Sequence, residues 1–223
     1  SIGIETLQDV LFHLPFRYED RTSVTKIGAA RSGASYVFEG EVIACDIAYG
    51  RRRSLLAYLQ DSTGRVGLRF YHFSKSQHHN LKNIGRIRCF GELRDGASGP
   101  EIYHPEYSKV DISEELEKSL TPVYPTTEGI SQSRFRSLTT QALAFLKSAP
   151  LDNLISDNSD YDINSAIQFL HKPPPHADKI ALLEGKHPAQ GRLAFEELVA
   201  HQLSLKIVRA EFQKLTAIAL DRP

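Results

Sequence analysis

From Tyr36 to Val110 apolar residues recur at nearly every second position in five short runs, and turn-forming residues separate the runs. A period of two places side chains alternately on opposite faces of an extended chain, so each run predicts a half-buried strand. "YVFEGEVIACDIAYG" is the first strand, with Val37, Gly40, Val42, Ala44 and Ile47 close to alternation. Gly40 lets it bend as a small barrel requires. "SLLAYLQD" is the second strand, "DSTG" a turn by residue type, and "RVGLRFY" the third. "SKSQHHNLKNIG" is polar and predicts a short helix. "RIRCFGEL" is the fourth strand, "RDGASG" a Gly-rich turn and "PEIYHPEYSKV" the fifth.

Five short strands with a helical insert between the third and fourth fit the oligonucleotide/oligosaccharide-binding barrel, the OB-fold. A sandwich edge or an SH3-like barrel is the main structural competitor. The rest of the chain reads as helix, which makes the fold class α+β. Residues 3–14 carry Ile4, Leu7, Val10, Leu11 and Leu14 at helical spacing, with Thr6 or Glu5 near the start, and Pro15 ends the run. "FRYEDRT" follows as an irregular charged segment. Beyond residue 110, "SEELEKSL" leads to "TPVYPTTEGI", where Pro and Gly break regular structure. "SQSRFRSLTTQALAFLKSA" is a helix with Phe135, Leu138, Ala142, Phe145 and Leu146 on one face. "DINSAIQFLH" is another, stopped by Pro173 to Pro175. A last helix begins after Pro188, where Leu198, Leu205 and Phe212 repeat every seven residues, flanked by Val208 and Leu215. That pattern is short for a zipper and lacks ordered charge flanks, so it reads as a packed helix edge. The domains drawn from these patterns are an N-terminal helical segment over 1–35, a barrel over 36–110 and a helical region over 111–223.

With 223 residues, 41% of them hydrophobic, the chain can bury a core, and global disorder is excluded. Cys45 and Cys89 form no metal spacing and suit a reducing cytosol. No signal peptide and no apolar run of bilayer length is present. The chain starts at Ser1 and contains no Met, which predicts a piece of a longer protein. Net charge is zero, but its distribution is uneven. Residues 36–110 hold 11 Lys and Arg against 8 Asp and Glu, whereas residues 111–223 hold 12 against 15. Affinity for nucleic acid comes mainly from cations that neutralise phosphates, so the barrel is the place to look.

Two features of the barrel point to nucleic acid. Arg51, Arg52 and Arg53 occupy the loop between the first two strands, and Arg94 stands at the loop between the fourth and fifth; in OB-folds these loops flank the ligand face. The alternation Val66, Leu68, Phe70 against Arg65, Gly67, Arg69 sends Tyr71 to the polar side beside Arg69. An exposed ring beside cations is a platform on which a base stacks, worth about 1–3 kcal/mol without reading sequence. Phe73 stands between a second platform and the core, while Phe70 belongs to the core. Catalytic signals are missing. "LLEGKHP" lacks the first glycine and the hydroxyl residue of a P-loop. His78 and His79 are adjacent and diverge on any regular element, which argues against a metal site. No carboxylate pair is marked for acid/base work.

Four segments together resemble one family: "GIETLQDVLFHLPFRYEDRT", "LTPVYPTTEGISQSRFRSL", "LHKPPP" and "HPAQGRLAFEELVAHQLSL". In that order they are similar to the N-terminal region of the RecG family, bacterial ATP-dependent branch-migration DNA helicases. "EGEVIACDIAYGRRR", "DSTGRVGLRFYHF" and "HPEY" resemble its wedge domain. The resemblance implies an OB-fold wedge that sits at forks and Holliday junctions and splits the arms. Helicase motor domains in cis, beyond residue 223, would bind ATP and Mg²⁺ and pull duplex across it, regressing stalled replication forks in DNA repair and recombination. It implies further that an aromatic at the exposed end of the third strand stacks on the unpaired base at the branch point, and Tyr71 matches that place. Phe73 is the aromatic nearest to the family's second stacking position, and Lys75 holds the equivalent position as a phosphate contact. Residues 111–223 become the linker between wedge and motor, and the helix from Pro188 transmits the motor's position. The expected site is therefore Tyr71, Phe73, Arg69, Arg51, Arg52, Arg53, Lys75 and Arg94, with no catalytic residue and no cofactor in this piece. A bacterial cytoplasmic, nucleoid-associated monomer is expected, binding branched DNA weakly, hydrolysing nothing and losing affinity steeply with salt.

Two other readings stand beside this one. OB-folds also bind peptides, and the acidic helical half and zero net charge suit a module that docks a partner such as single-strand-binding protein, or the motor domains themselves. A tRNA-binding OB domain of a translation enzyme shares the fold but not the flanking segments.

Overall fold

The computed structural model describes residues 3–50, 52–96, 99–110, 116–126, 129–155 and 160–214. The chain forms two compact units, one of residues 19–121 and the other of residues 1–18 with 122–223.

In the second unit's small leading segment, α1 (Leu7–Phe12) starts at Thr6. The Thr6 hydroxyl accepts from the Asp9 amide, and the Asp9 carboxylate accepts from the Thr6 amide, a reciprocal cap. The helix is shorter than the 3–14 run predicts, because that cap fixes its first turn at Leu7. "FRYEDRT" is not wholly irregular: β1 (Arg17–Glu19) pairs with a short strand from beyond the barrel.

The barrel begins with β2 (Ser35–Ala48), followed by β3 (Ser54–Gln60) and β4 (Arg65–Phe70). Next come α2 (Lys75–Asn83) and β5 (Arg86–Gly96). The predicted fifth strand is two, β6 (Gly99–Tyr103) and β7 (Glu106–Lys109). They part at His104, whose φ of 49° turns the chain ahead of Pro105. The ladder runs β2–β3–β4–β6–β5, and β5 pairs again with β2, which closes a five-stranded barrel. All pairs are antiparallel except β4 with β6. This is the OB-fold topology, and β7 extends β5 beyond it.

β2 serves both sides of the closure. Its first half pairs with β5 and its second with β3, and the handover lies at Gly40 to Glu41. A Cβ on Gly40 would stand 2.3 Å from the Gln60 carbonyl oxygen, so only glycine permits this approach. A bulge between Val42 and Ala44 then shifts the phase by one residue. Ala44, expected inward, faces out, and Cys45 enters the core in its place. The turn after β3 is held by Asp61, whose carboxylate accepts from the Thr63 and Gly64 amides and from the Ile27 amide. Burial would raise its pKa, but these bonds prevail and bring it to about 2. Phe38, Leu55, Leu59, Val66, Leu68, Ile87 and Ile102 fill the barrel, and Leu81 brings α2 into the same cluster.

The helical unit follows β8 (Thr121–Val123), the partner of β1. Its helices are α3 (Gln132–Ser148), α4 (Ile163–His171), α5 (Lys179–Leu183) and α6 (Pro188–Gln213). Ser131 caps α3 and Asp162 caps α4 with side-chain acceptors. The core face of α3 is Phe135, Thr139, Ala142, Leu143 and Leu146; Leu138 and Phe145, expected inward, are exposed. At α6 only the first two turns are buried. There Arg192 bonds Glu196, Asn153 and the Ile155 carbonyl. Leu198, Leu205 and Phe212 are exposed, so the heptad is not a packed edge within the described residues, and Leu215 lies outside them. No helix among the described residues is long and apolar enough to cross a membrane.

Candidate nucleic-acid interface

The alternation of β4 sends Val66, Leu68 and Phe70 into the core and leaves Arg69 on the outer face. Tyr71 follows at the strand's end, 36% exposed. Its ring lies on the Tyr103 ring, with centroids 6.0 Å apart and planes 17° from parallel. Its backbone N–H donates to His104 Nε2 at 3.3 Å. Tyr103 reaches this place because β6 runs parallel to β4, in a register that sets Gly67 opposite Glu101 and Arg69 opposite Tyr103. The Arg94 guanidinium also stands over the Tyr103 ring, 5.9 Å from its centroid.

Arg69 is not the free cation that the sequence suggests. Its Nε and NH2 donate to the two oxygens of Glu101 at 2.7 and 2.6 Å, and its NH1 donates to Ser54 Oγ at 2.9 Å. The Glu101 side chain is 3% exposed and that of Arg69 17%, so this is a partly buried bidentate pair. Bonding to Glu101 raises the Arg69 pKa further. Burial and then the Glu101 charge raise that of Tyr103, which stays a neutral phenol at physiological pH. Gly96 makes room for the pair, since a Cβ there would stand 2.5 Å from the Glu101 carboxyl carbon.

The remaining expected residues divide. Arg52 is exposed and lines an open groove with Tyr49, Arg69, Tyr71, Glu101 and Tyr103. Arg53 turns away and stands 5.1 Å over the Phe73 ring. Phe73 does not join Tyr71; it is half-buried against the barrel core. Arg94 pairs with Glu92 at 2.9 Å. Lys75 is exposed in the first turn of α2, where its ammonium and the helix N-terminus both favour an anion. Arg51 lies outside the described residues.

Three side chains of this face were not among the expected site residues: Tyr103, Glu101 and Tyr49. The alternation about Ile102 already turned Glu101 and Tyr103 outward, but only the β4–β6 register brings them beside Arg69 and Tyr71. Tyr49 was legible by the reasoning that found Tyr71, an aromatic beside cations where a strand ends. It is 83% exposed.

Tyr71 and Tyr103 thus form an outward aromatic pair on the barrel. The family of the RecG wedge domain matches residues 1–146. The chain belongs to that family. It is 43% identical to the ATP-dependent DNA helicase RecG of Haemophilus influenzae over 225 residues, covering 99% of this chain and 32% of that protein. With the Escherichia coli K12 protein of the same name it shares 41% over 226 residues, 99% of this chain and 33% of the relative. The chain therefore spans about a third of the length of the curated relatives it matches. A solved structure described as RecG bound to a three-way DNA junction superimposes with a TM-score of 0.68 at 26% identity, covering 96% of this chain and 29% of that one. The segments quoted from the sequence pointed to the right family.

Proposed function

We propose that this chain is the junction-binding wedge region of an ATP-dependent DNA helicase that remodels stalled forks and Holliday junctions in repair and recombination. The observation that carries the reading is the Tyr71 ring, exposed at the end of β4 on the barrel's ligand face, in a chain of the RecG wedge family. A base that loses its partner when a duplex splits also loses stacking, and a ring fixed at the fork replaces it. Residues 36–110 act as the wedge, with Arg52 and Lys75 on phosphates. Residues 111–223 act as the linker to motor domains that bind ATP and Mg²⁺. The exposed Leu198, Leu205 and Phe212 of α6 support a docking role for that helix. No nucleotide or magnesium chemistry is assigned to residues of this chain.

The test is fluorescence anisotropy of the chain on a synthetic fork and a matched duplex. Preference for the fork is expected, and Tyr71→Ala should weaken fork binding by about 1–3 kcal/mol, the worth of one stacking platform. Equal affinity of the wild-type chain for both DNAs sinks the reading.

A further inference from the structure

Tyr49 sits at the end of the first barrel strand's hairpin, one residue beyond β2, and its ring is 83% exposed. Burying an aromatic ring is favourable, so a ring held this far into water at a loop tip has its contact surface open to a ligand. It lines the same groove as Tyr71 and Tyr103. Those two rings are already stacked on each other, and the Arg94 guanidinium stands over Tyr103. The groove's charges largely cancel: Arg69 and Glu101 are engaged with one another, and Arg52 is the cation that remains among the described lining residues. A channel that tracks a phosphate backbone needs a row of free cations. This one has three aromatic rings and one.

We propose that Tyr49 is a further stacking residue, and that the groove between it and the Tyr71–Tyr103 pair holds a single unpaired nucleobase by its faces. The inference rests on the junction-binding reading above and names what the site grips there. Tyr103 acts as a positioning residue that holds the Tyr71 ring. The floor's guanidinium and carboxylate donate and accept between themselves, so the groove grips a base without reading its identity.

The experiment measures binding of the chain to a three-way fork with one unpaired base at the branch. A second fork carries an abasic analogue at that position, and a matched duplex is the control. Tyr49→Ala should lower affinity for the first fork about ten-fold, and Tyr49→Phe should stay within about two-fold of wild type. The abasic fork should bind more weakly than the variant binds the first fork, because it loses the stack on Tyr71 as well, and Tyr49→Ala should add no further loss on it, the signature of two groups that touch. Exchanging the unpaired base among the four should change affinity less than about three-fold. A fork preference that Tyr71→Ala reduces and Tyr49→Ala leaves intact overturns the inference and spares the junction reading. So does a Tyr49→Ala loss of equal size on the abasic fork. No fork preference in the wild-type chain overturns both.

Discussion

The pair formed by Arg69 and Glu101 shows how one residue's surroundings decide its task. A bidentate guanidinium–carboxylate contact shielded from water is costly to break from one side, because the remaining charge is left buried without a partner. With Glu101 3% exposed, Arg69→Met should destabilise the barrel by about 3 kcal/mol. Removing both charges, as Arg69→Met with Glu101→Leu, should cost less than Arg69→Met alone. Urea denaturation of the three proteins checks this, and additive losses would show that the two side chains are not coupled. Tyr71 and Tyr103 present the opposite case: they keep ring surface exposed against the hydrophobic effect, and such surface is available to a base. Phe73 differs from Tyr71 by two positions and by its direction, inward, which ties it to the core and to Arg53.

At the level of elements, the buried contacts of α4 with its neighbours depend on an uncharged imidazole. His171 Nε2 lies 2.8 Å from the Leu11 carbonyl oxygen, and Nδ1 lies 2.8 Å from the Tyr124 hydroxyl. A carbonyl only accepts, so Nε2 carries the proton and Nδ1 accepts from Tyr124. Burial lowers the His171 pKa below its ordinary value of 6.5 and pushes Tyr124 up to about 12. The unfolded chain therefore takes up a proton at higher pH than the folded one. Stability that is present above about pH 6.5 should fall as pH drops from there towards the lowered folded value. Thermal unfolding followed by circular dichroism between pH 7.5 and 5.5 should show this decline, and His171→Gln should flatten it. An unchanged decline in the variant would assign it to other groups. The same scale holds the features that periodicity could not reveal. The β2 bulge, the β6–β7 break at His104 and the outward turn of Leu138 and Phe145 all depend on neighbours distant in sequence.

Over the whole molecule, charge sets the character of binding. The chain has 27 Lys and Arg and 27 Asp and Glu, and several barrel cations are engaged: Arg69 with Glu101, Arg94 with Glu92, and Arg86 and Arg88 with Glu39. The salt dependence should therefore be shallower than the basic barrel by itself suggests. With Arg52 and Lys75 as phosphate contacts, the slope of log K against log salt should be no steeper than about −2. Fork titrations between roughly 50 and 200 mM salt measure it. A slope near −6 would mean that arginines now paired in the free protein exchange carboxylates for phosphates on binding.

The sequence by itself determined the class of structure and the family. Alternation with a period of two specified the strands of the barrel, and helical spacing specified the helices around it. Short segments such as "LHKPPP" and "HPAQGRLAFEEL" carried the RecG resemblance. It also marked Tyr71, because the phase of a single strand is a local property. Only the tertiary structure decided which cations are free and which rings stand together. Glu101 neutralises Arg69 from 32 residues away, and Tyr103 reaches Tyr71 through a parallel strand pairing. Strand phase is set by neighbours one or two residues away, whereas ion pairing and stacking are set by register between strands, which local spacing does not encode.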